Sequence, residues 1–198
     1  MKGGRVERIR AQIRAKDRQI VRLLNERSSL SVEVGRVKNR LGARVYDPSQ
    51  ESRVLESLAG MNDGPLPDRA LRDIYREIFS SSRQLQAPLA VACLGPEASF
   101  SHLAALTQFG RSAPVLLERT IGEVFDALEK GKASLGVVPF ENSLEGSVKM
   151  TLDRMISTPL KIQGEVFLRI SHCLMSPSPK ERVARVYSHP QALAQCRE

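Results

Sequence analysis

The sequence predicts a multidomain chain of two classes, an all-helical region followed by an α/β layered one. Three observations carry that prediction. Residues 6–41 hold an unbroken three-four spacing of seam positions, apolar except at Lys16 and Arg27, the repeat of a helix that packs along one seam. Two more stretches, opening at Asp47-Pro48 and Pro67-Asp68, carry helix-start signals. From Leu89 onward, short apolar runs alternate with capped helical stretches, the order of an α/β layered domain.

Each helix of the first region has its own warrant. The seam runs from Val6 through Ile9, Ile13, Lys16, Ile20, Leu23, Arg27, Leu30, Val34 and Val37 to Leu41. A helix from about Arg5 to about Leu41 follows, with Gly42 suited to its C′ position. At ~1.5 Å per residue it is ~55 Å long, too long for a compact small domain alone, so a partner must cover much of its seam. In the second helix Asp47 suits the N-cap, Pro48 the first helical position and Gln50 the third. Val54, Leu55 and Leu58 form its apolar face, and Asn62-Asp63-Gly64-Pro65 ends it. The third helix carries Leu71, Ile74, Tyr75, Ile78, Ser82 and Leu85, and Pro88 stops it.

In the second region the predicted strands are residues 89–94, 114–117 and 135–138. Helices are expected at 101–109, after the Thr120-Ile121-Gly122-Glu123 capping box, and at 147–156. Residues 160–174 read as extended, followed by a short run at 183–187 and a helix from about Pro190.

Composition limits the function classes. The 198 residues are 41% hydrophobic and 26% charged, ordinary for a globular chain of one or two domains. No apolar run reaches the roughly 18–20 residues of a membrane span, and the charged start leads into no apolar signal segment. Cys93, Cys173 and Cys196 have neither metal nor redox spacing, which fits a reducing compartment. The expectation is a cytoplasmic protein with no membrane partner and no metal. Trp is absent and aromatics are 5%, which argues against a stacking surface for single-stranded nucleic acid. Residues 1–86 hold 18 Lys/Arg against 11 Asp/Glu, and the remainder 12 against 11. That basic first region suits nucleic acid, a membrane surface, small anions or a solvated helix face.

Polar residues on apolar faces discriminate among these. Arg27 falls on the seam, Arg10 and Lys38 sit beside it, and Ser82 and Gln86 share the inward face of the third helix. A buried Arg needs an anion. An internal bridge to Glu33, Asp47 or Glu51, or a stem that snorkels to solvent, answers that need as well as a ligand does. Arg27 and Lys38 are ~16 Å apart along one helix, within joint reach of a ligand, whereas Arg10 and Arg27 are ~25 Å apart. If Arg10 joins the site it comes from another subunit. The pattern thus suggests a dimer holding a small polyanion between helices, with no nucleic acid.

Arg10, Asn25-Glu26-Arg27, Val32-Glu33-Val34-Gly35-Arg36-Val37-Lys38, Val45-Tyr46-Asp47-Pro48, Glu51 and Ser82-Arg83-Gln84-Leu85-Gln86 closely resemble the all-helical class of chorismate mutase. The resemblance implies a three-helix domain over residues 1–87, intertwined with a second copy as a homodimer through the N-terminal helices. It implies that Arg27 and the partner's Arg10 bind the two carboxylates of chorismate. Lys38 and Gln86 would meet the ether oxygen, and Asp47, Glu51 and Ser82 the hydroxyl side, with Lys38, Gln86 and Glu51 as the catalytic groups. The rearrangement to prephenate needs no nucleophile and no cofactor. The family usually reads Asp-Pro-x-Arg-Glu, and here Gln50 stands in place of the Arg; Arg53, three residues on, covers the same helix face.

Two loops of the second region follow strands and lead into helix N-termini, at residues 95–102 and 139–147. Ligands of open α/β sheets bind at the carboxyl ends of strands, and helix N-termini favour anions; equally, Ser99, Ser101 and Ser147 read as plain helix caps. Gly95-Pro96-Glu97-Ala98-Ser99-Phe100-Ser101-His102, Glu141-Asn142-Ser143 with Glu145-Gly146-Ser147-Val148, and Ser188-His189-Pro190-Gln191 resemble prephenate dehydratase. The family pattern has Gly-Thr where this chain has Ala98-Ser99. The resemblance implies a two-lobed, periplasmic-binding-protein-like α/β domain, of which residues 88–198 are part. Glu141, Asn142 and Gln191 would be its prephenate-binding residues, with Ser99 and Ser143 as hydroxyl contacts. The family's Thr-Arg-Phe motif, with its catalytic threonine, does not occur in these 198 residues. The expectation is therefore mutase activity without dehydratase activity. Its rivals are a non-catalytic dimerisation or regulatory module and a basic helical nucleic-acid binder.

Overall fold

A computed structural model describes residues 2–142, 146–188, 192, 193 and 196. The first region is three helices: α1 (Lys2–Arg40), α2 (Pro48–Gly60) and α3 (Asp68–Gln86). Asp47 caps α2, its Oδ1 accepting from Gln50 N at 3.0 Å with Pro48 opening the helix, as the sequence predicts. Gly42 follows α1 at φ +64. The second half of α1 packs along α3, and α2 packs on α3 from another side. The first half of α1 stands free: residues 4–26 are exposed apart from Ala15.

The second region centres on a parallel sheet, β1 (Val91–Leu94) between β2 (Val115–Glu118) and β3 (Leu135–Val137). Val91 lies opposite Val115 on one side and Leu135 on the other. A central parallel strand is covered on both faces, and Val91, Ala92 and Cys93 are fully buried. Alternation sends Val91 and Cys93 toward Ala105 and Phe109 of α4 (Phe100–Phe109). It sends Ala92 toward Val124 and Ala127 of α5 (Ile121–Glu129). Ser99 and Thr120 cap these helices, accepting from His102 N and Glu123 N. A hairpin, β4 (Glu141–Asn142) with β5 (Gly146–Ser147), leads into α6 (Lys149–Ser157), which lies against α5.

Three expectations need correction. Ser147 belongs to β5, and α6 opens two residues later after Val148, so Ser147 does not cap it. Ser101 lies within α4, whose cap is Ser99. Residues 160–174 and 183–187 form no strand; a strand exists through pairing, and no described segment pairs with these. Ile162, Phe167 and Met175 there are 75%, 88% and 90% exposed. Pro190, the expected start of a final helix, lies outside the described residues.

The two regions meet where the C-terminal end of α4 packs on α3. Arg111 N donates to Glu77 Oε2 at 3.1 Å and Ser112 N to Ser80 Oγ at 3.2 Å. Gly110 makes the approach possible: its φ is +71, and a Cβ there would lie 2.6 Å from Ser80 Cβ. No helix among the described residues is long and apolar enough to cross a membrane.

Candidate active site

Helices α1 and α2 both pack on α3, whose consecutive residues Ser82 and Arg83 are both buried. Arg27 of α1 donates from Nη1 to Ser82 Oγ at 2.7 Å, and its guanidinium lies 5.4 Å from the centre of the Phe79 ring. It makes no ion pair among the described residues. Asp47 is engaged as the α2 cap, and Glu51 pairs with Arg83. The hydroxyl of Ser82 therefore orients the half-buried Arg27 without neutralising it, and the internal bridge from Glu33, Asp47 or Glu51 does not form. A guanidinium has five donors, so Arg27 retains capacity for an anion.

Lys38, also half-buried, lies one turn beyond Gly35 and donates from Nζ to Val45 O at 3.0 Å. This ties the end of α1 to the loop before α2. Gln86, at the end of α3, sits directly over Gly35: a Cβ on Gly35 would lie 2.8 Å from Gln86 Cβ. Gln86 Oε1 is buried with no hydrogen-bond partner. An orphaned buried amide atom is rare and costly, and marks a place that the chain's own side chains leave incomplete. Gln50 and Arg53 line one open groove on α2 with Val54 and Met61, so Arg53 does share the face of the missing cation.

Arg10 is not brought to this site by its own chain. It pairs with Glu7 at 2.8 Å, both largely exposed, and lies ~25 Å along α1 from Arg27.

Arg83 is the residue that sequence reasoning missed as a site member. Its side chain is 5% exposed, pairs with Glu51 and donates from Nη2 to Phe109 O at 2.7 Å. The guanidinium also lies 5.6 Å from the Tyr46 ring centre and 5.9 Å from that of Phe109. Tyr46 accepts from Gln108 Nε2 at 2.8 Å. Burial pushes its phenol above the ordinary value of 10.0, more than that hydrogen bond lowers it, so the ring stays neutral near pH 7. No periodic signal marks Arg83, because its cover is tertiary, with Glu51 and Tyr46 on one side and Phe109 of the second region on the other.

In the second region, the loop after β1 and the stretch after β3 emerge at the same edge, since the two strands are parallel neighbours. Ser99 Oγ donates to Leu94 O at 3.0 Å while capping α4. His102 Nδ1 accepts from Ala98 N at 3.0 Å, which holds Ala98 at φ +63. Glu141 is exposed and Asn142 half-buried, side by side in β4. Ser143 and Gln191 lie outside the described residues.

Fold and site define a chain that joins a three-helix region carrying the half-buried cations Arg27 and Lys38 to an open parallel α/β sheet. Residues 91–198 match the family model described as prephenate dehydratase, and residues 9–87 that described as chorismate mutase type II. The chain belongs to the prephenate dehydratase family, with a chorismate mutase type II region ahead of that domain. It is 41% identical over 197 residues to a bifunctional chorismate mutase/prephenate dehydratase of Aquifex aeolicus, covering 97% of this chain and 54% of that one. A protein of the same description from Neisseria gonorrhoeae is 42% identical over 184 residues, covering 92% and 50%. The chain thus spans about half the length of the curated relatives it matches. Among solved structures, a chorismate mutase from Thermus thermophilus is 39% identical, with a TM-score of 0.41, covering 41% of this chain and 93% of that one.

Proposed function

We propose that residues 1–87 form a chorismate mutase domain that converts chorismate to prephenate within a homodimer, and that residues 88–198 are part of a prephenate dehydratase domain. The observation that carries the mutase reading is Arg27, half-buried, held by Ser82 and free of any carboxylate partner among the described residues. It is a fixed cation awaiting a carboxylate. The partner's Arg10 supplies the second cation, for the other carboxylate of the substrate. Val6, Ile9, Ile13 and Ile20 of the seam are each about half exposed, and Leu30 is 62% exposed. A second α1 laid along that seam covers them and carries Arg10 across.

The reaction is a pericyclic rearrangement. As the C–O bond breaks, charge builds on the ether oxygen, and a fixed ammonium and an amide stabilise that charge more than the ground state. Lys38 fills the first role through its ammonium and Gln86 the second through the Nε2–H of its amide. The two arginines hold the substrate in its reactive shape. Glu51, Asp47 and Ser82 attend the hydroxyl side. No step needs a cofactor.

Ser99, Glu141, Asn142, Ser143 and Gln191 are proposed contacts for prephenate. The 198-residue chain alone does not dehydrate it: residues 160–174 form no strand, and Phe167 and Ile162 among them are exposed, so this stretch does not wall off a cleft against water. A chorismate-depletion assay on the purified chain, with separate readouts for prephenate and phenylpyruvate at neutral pH, tests both statements. Prephenate without phenylpyruvate is expected. No prephenate overturns the mutase reading, and phenylpyruvate overturns the second.

A further inference from the structure

We propose that Arg83 is a positioning residue of the mutase site, and that the α/β region holds it there through the main-chain carbonyl of Phe109. The proposal rests on the mutase reading above. A buried guanidinium is tolerated only when paired and hydrogen-bonded, and Arg83 divides its donors between the two regions. Nη1 meets Glu51 of α2, and Nη2 meets Phe109 O, the last residue of α4, at 2.7 Å. Tyr46 from the helical region and Phe109 from the α/β region each turn a ring toward the guanidinium, and the two rings meet edge to face at 5.3 Å.

Glu51 needs such a strut. Its side chain is 24% exposed, so one part faces Arg83 and the rest remains open. Arg83 is the cation that fixes its carboxylate. Arg83 in turn is fixed by an oxygen whose position depends on the end of α4. That end is seated on α3 by Gly110, where a Cβ would collide with Ser80, and by the bonds from Arg111 N and Ser112 N. The geometry makes the α/β region a buttress of a site that contains none of its residues.

The test is a double-mutant cycle on the full 198-residue chain, with kcat and KM for chorismate and thermal unfolding measured for each variant. Arg83→Met is expected to lower kcat/KM by about tenfold or more, yet to add less than about twofold in a Glu51→Gln background, because both remove one interaction. Gly110→Ala, whose added Cβ meets Ser80 and Glu77, neither of them a proposed substrate contact, is expected to lower kcat/KM by about threefold or more, and to add nothing once Arg83 is Met. A purely stabilising Arg83 would instead lower the melting temperature and give effects that multiply. Should Arg83→Met fail to fold, Arg83→Lys keeps the charge but not the fork, and the same cycle is run with it. Wild-type turnover with Arg83 variants within twofold of it, or multiplying effects, overturns this inference alone. Absence of wild-type turnover overturns the mutase reading beneath it.

Discussion

Arg27 and Ser82, 55 residues apart in sequence, are joined by a 2.7 Å hydrogen bond between α1 and α3. The bond aims a cation without cancelling its charge. A carboxylate in place of the Ser82 hydroxyl would have paired with the guanidinium and closed the site to an anion. Removing the hydroxyl in Ser82→Ala forfeits about 1 kcal/mol of hydrogen bonding. The expected outcome is a KM for chorismate raised by about three- to tenfold with kcat changed less, read from steady-state kinetics.

Lys38→Ala is expected to act mainly on turnover, lowering it by the equivalent of about 2–4 kcal/mol if its ammonium meets the ether oxygen. In the free chain Nζ rests on Val45 O, so loss of the lysine also loosens the loop before α2. Single-turnover rates at saturating chorismate separate the two effects. Unchanged turnover removes Lys38 from the mechanism.

Arg10 lies ~25 Å along α1 from Arg27 and is exposed beside Glu7. If the site is shared between subunits, Arg10→Ala and Arg27→Ala chains are each inactive, and mixing them under subunit exchange restores activity. Each mixed dimer has one doubly defective site and one intact site. Heterodimers proven by mass that stay inactive defeat the shared site.

Gly35→Ala gives opposite local and tertiary effects. Alanine favours a helix interior over glycine by about 1 kcal/mol, but its Cβ would lie 2.8 Å from Gln86 Cβ and 2.9 Å from Gln86 Cα. The tertiary term wins, because backbone has to move. Lower melting temperature and lower kcat/KM are both expected. Gly4→Ala meets nothing within 4 Å and serves as the control, gaining helix propensity without loss of activity.

Ala98→Gly is expected to stabilise the second region. Ala98 sits at φ +63, a conformation costing an alanine about 1–2 kcal/mol. The greater freedom of glycine in the unfolded chain offsets part of the gain, leaving about 0.5–1 kcal/mol. The midpoint of urea unfolding, followed for the second region, should rise; a fall would place strain elsewhere in this loop.

The helices were legible because their signals are local. The seam, the Asp47-Pro48 start and the Thr120 cap each lie within a few residues of what they specify, and the structure places them within a few positions. The three parallel strands were legible as short apolar runs closed by turn residues. Arg83 was not legible, since an Arg between Ser82 and Gln84 reads as solvated until α4 covers it. The closeness of Gly35 and Gln86 was hidden for the same reason: a missing Cβ has meaning only beside its neighbour. Residues 160–174 show the converse case. Their apolar composition reads as strand, and composition cannot supply the neighbouring strand that makes one.

Phe109 meets Arg83 through a carbonyl oxygen, an atom that all twenty residue types carry. Exchange of the residue at 109 leaves that acceptor in place, whereas a change at 51 or 83 deletes one half of a pair. In a lineage of such proteins, loss of the acid at 51 should accompany loss of the base at 83, while 109 stays apolar because its ring lies in the core and 110 stays small. Correlated-substitution statistics would then find the bond inside the helical region and pass over the one between regions. The join between the two parts is inherited as the path of a main chain, not as a pair of letters.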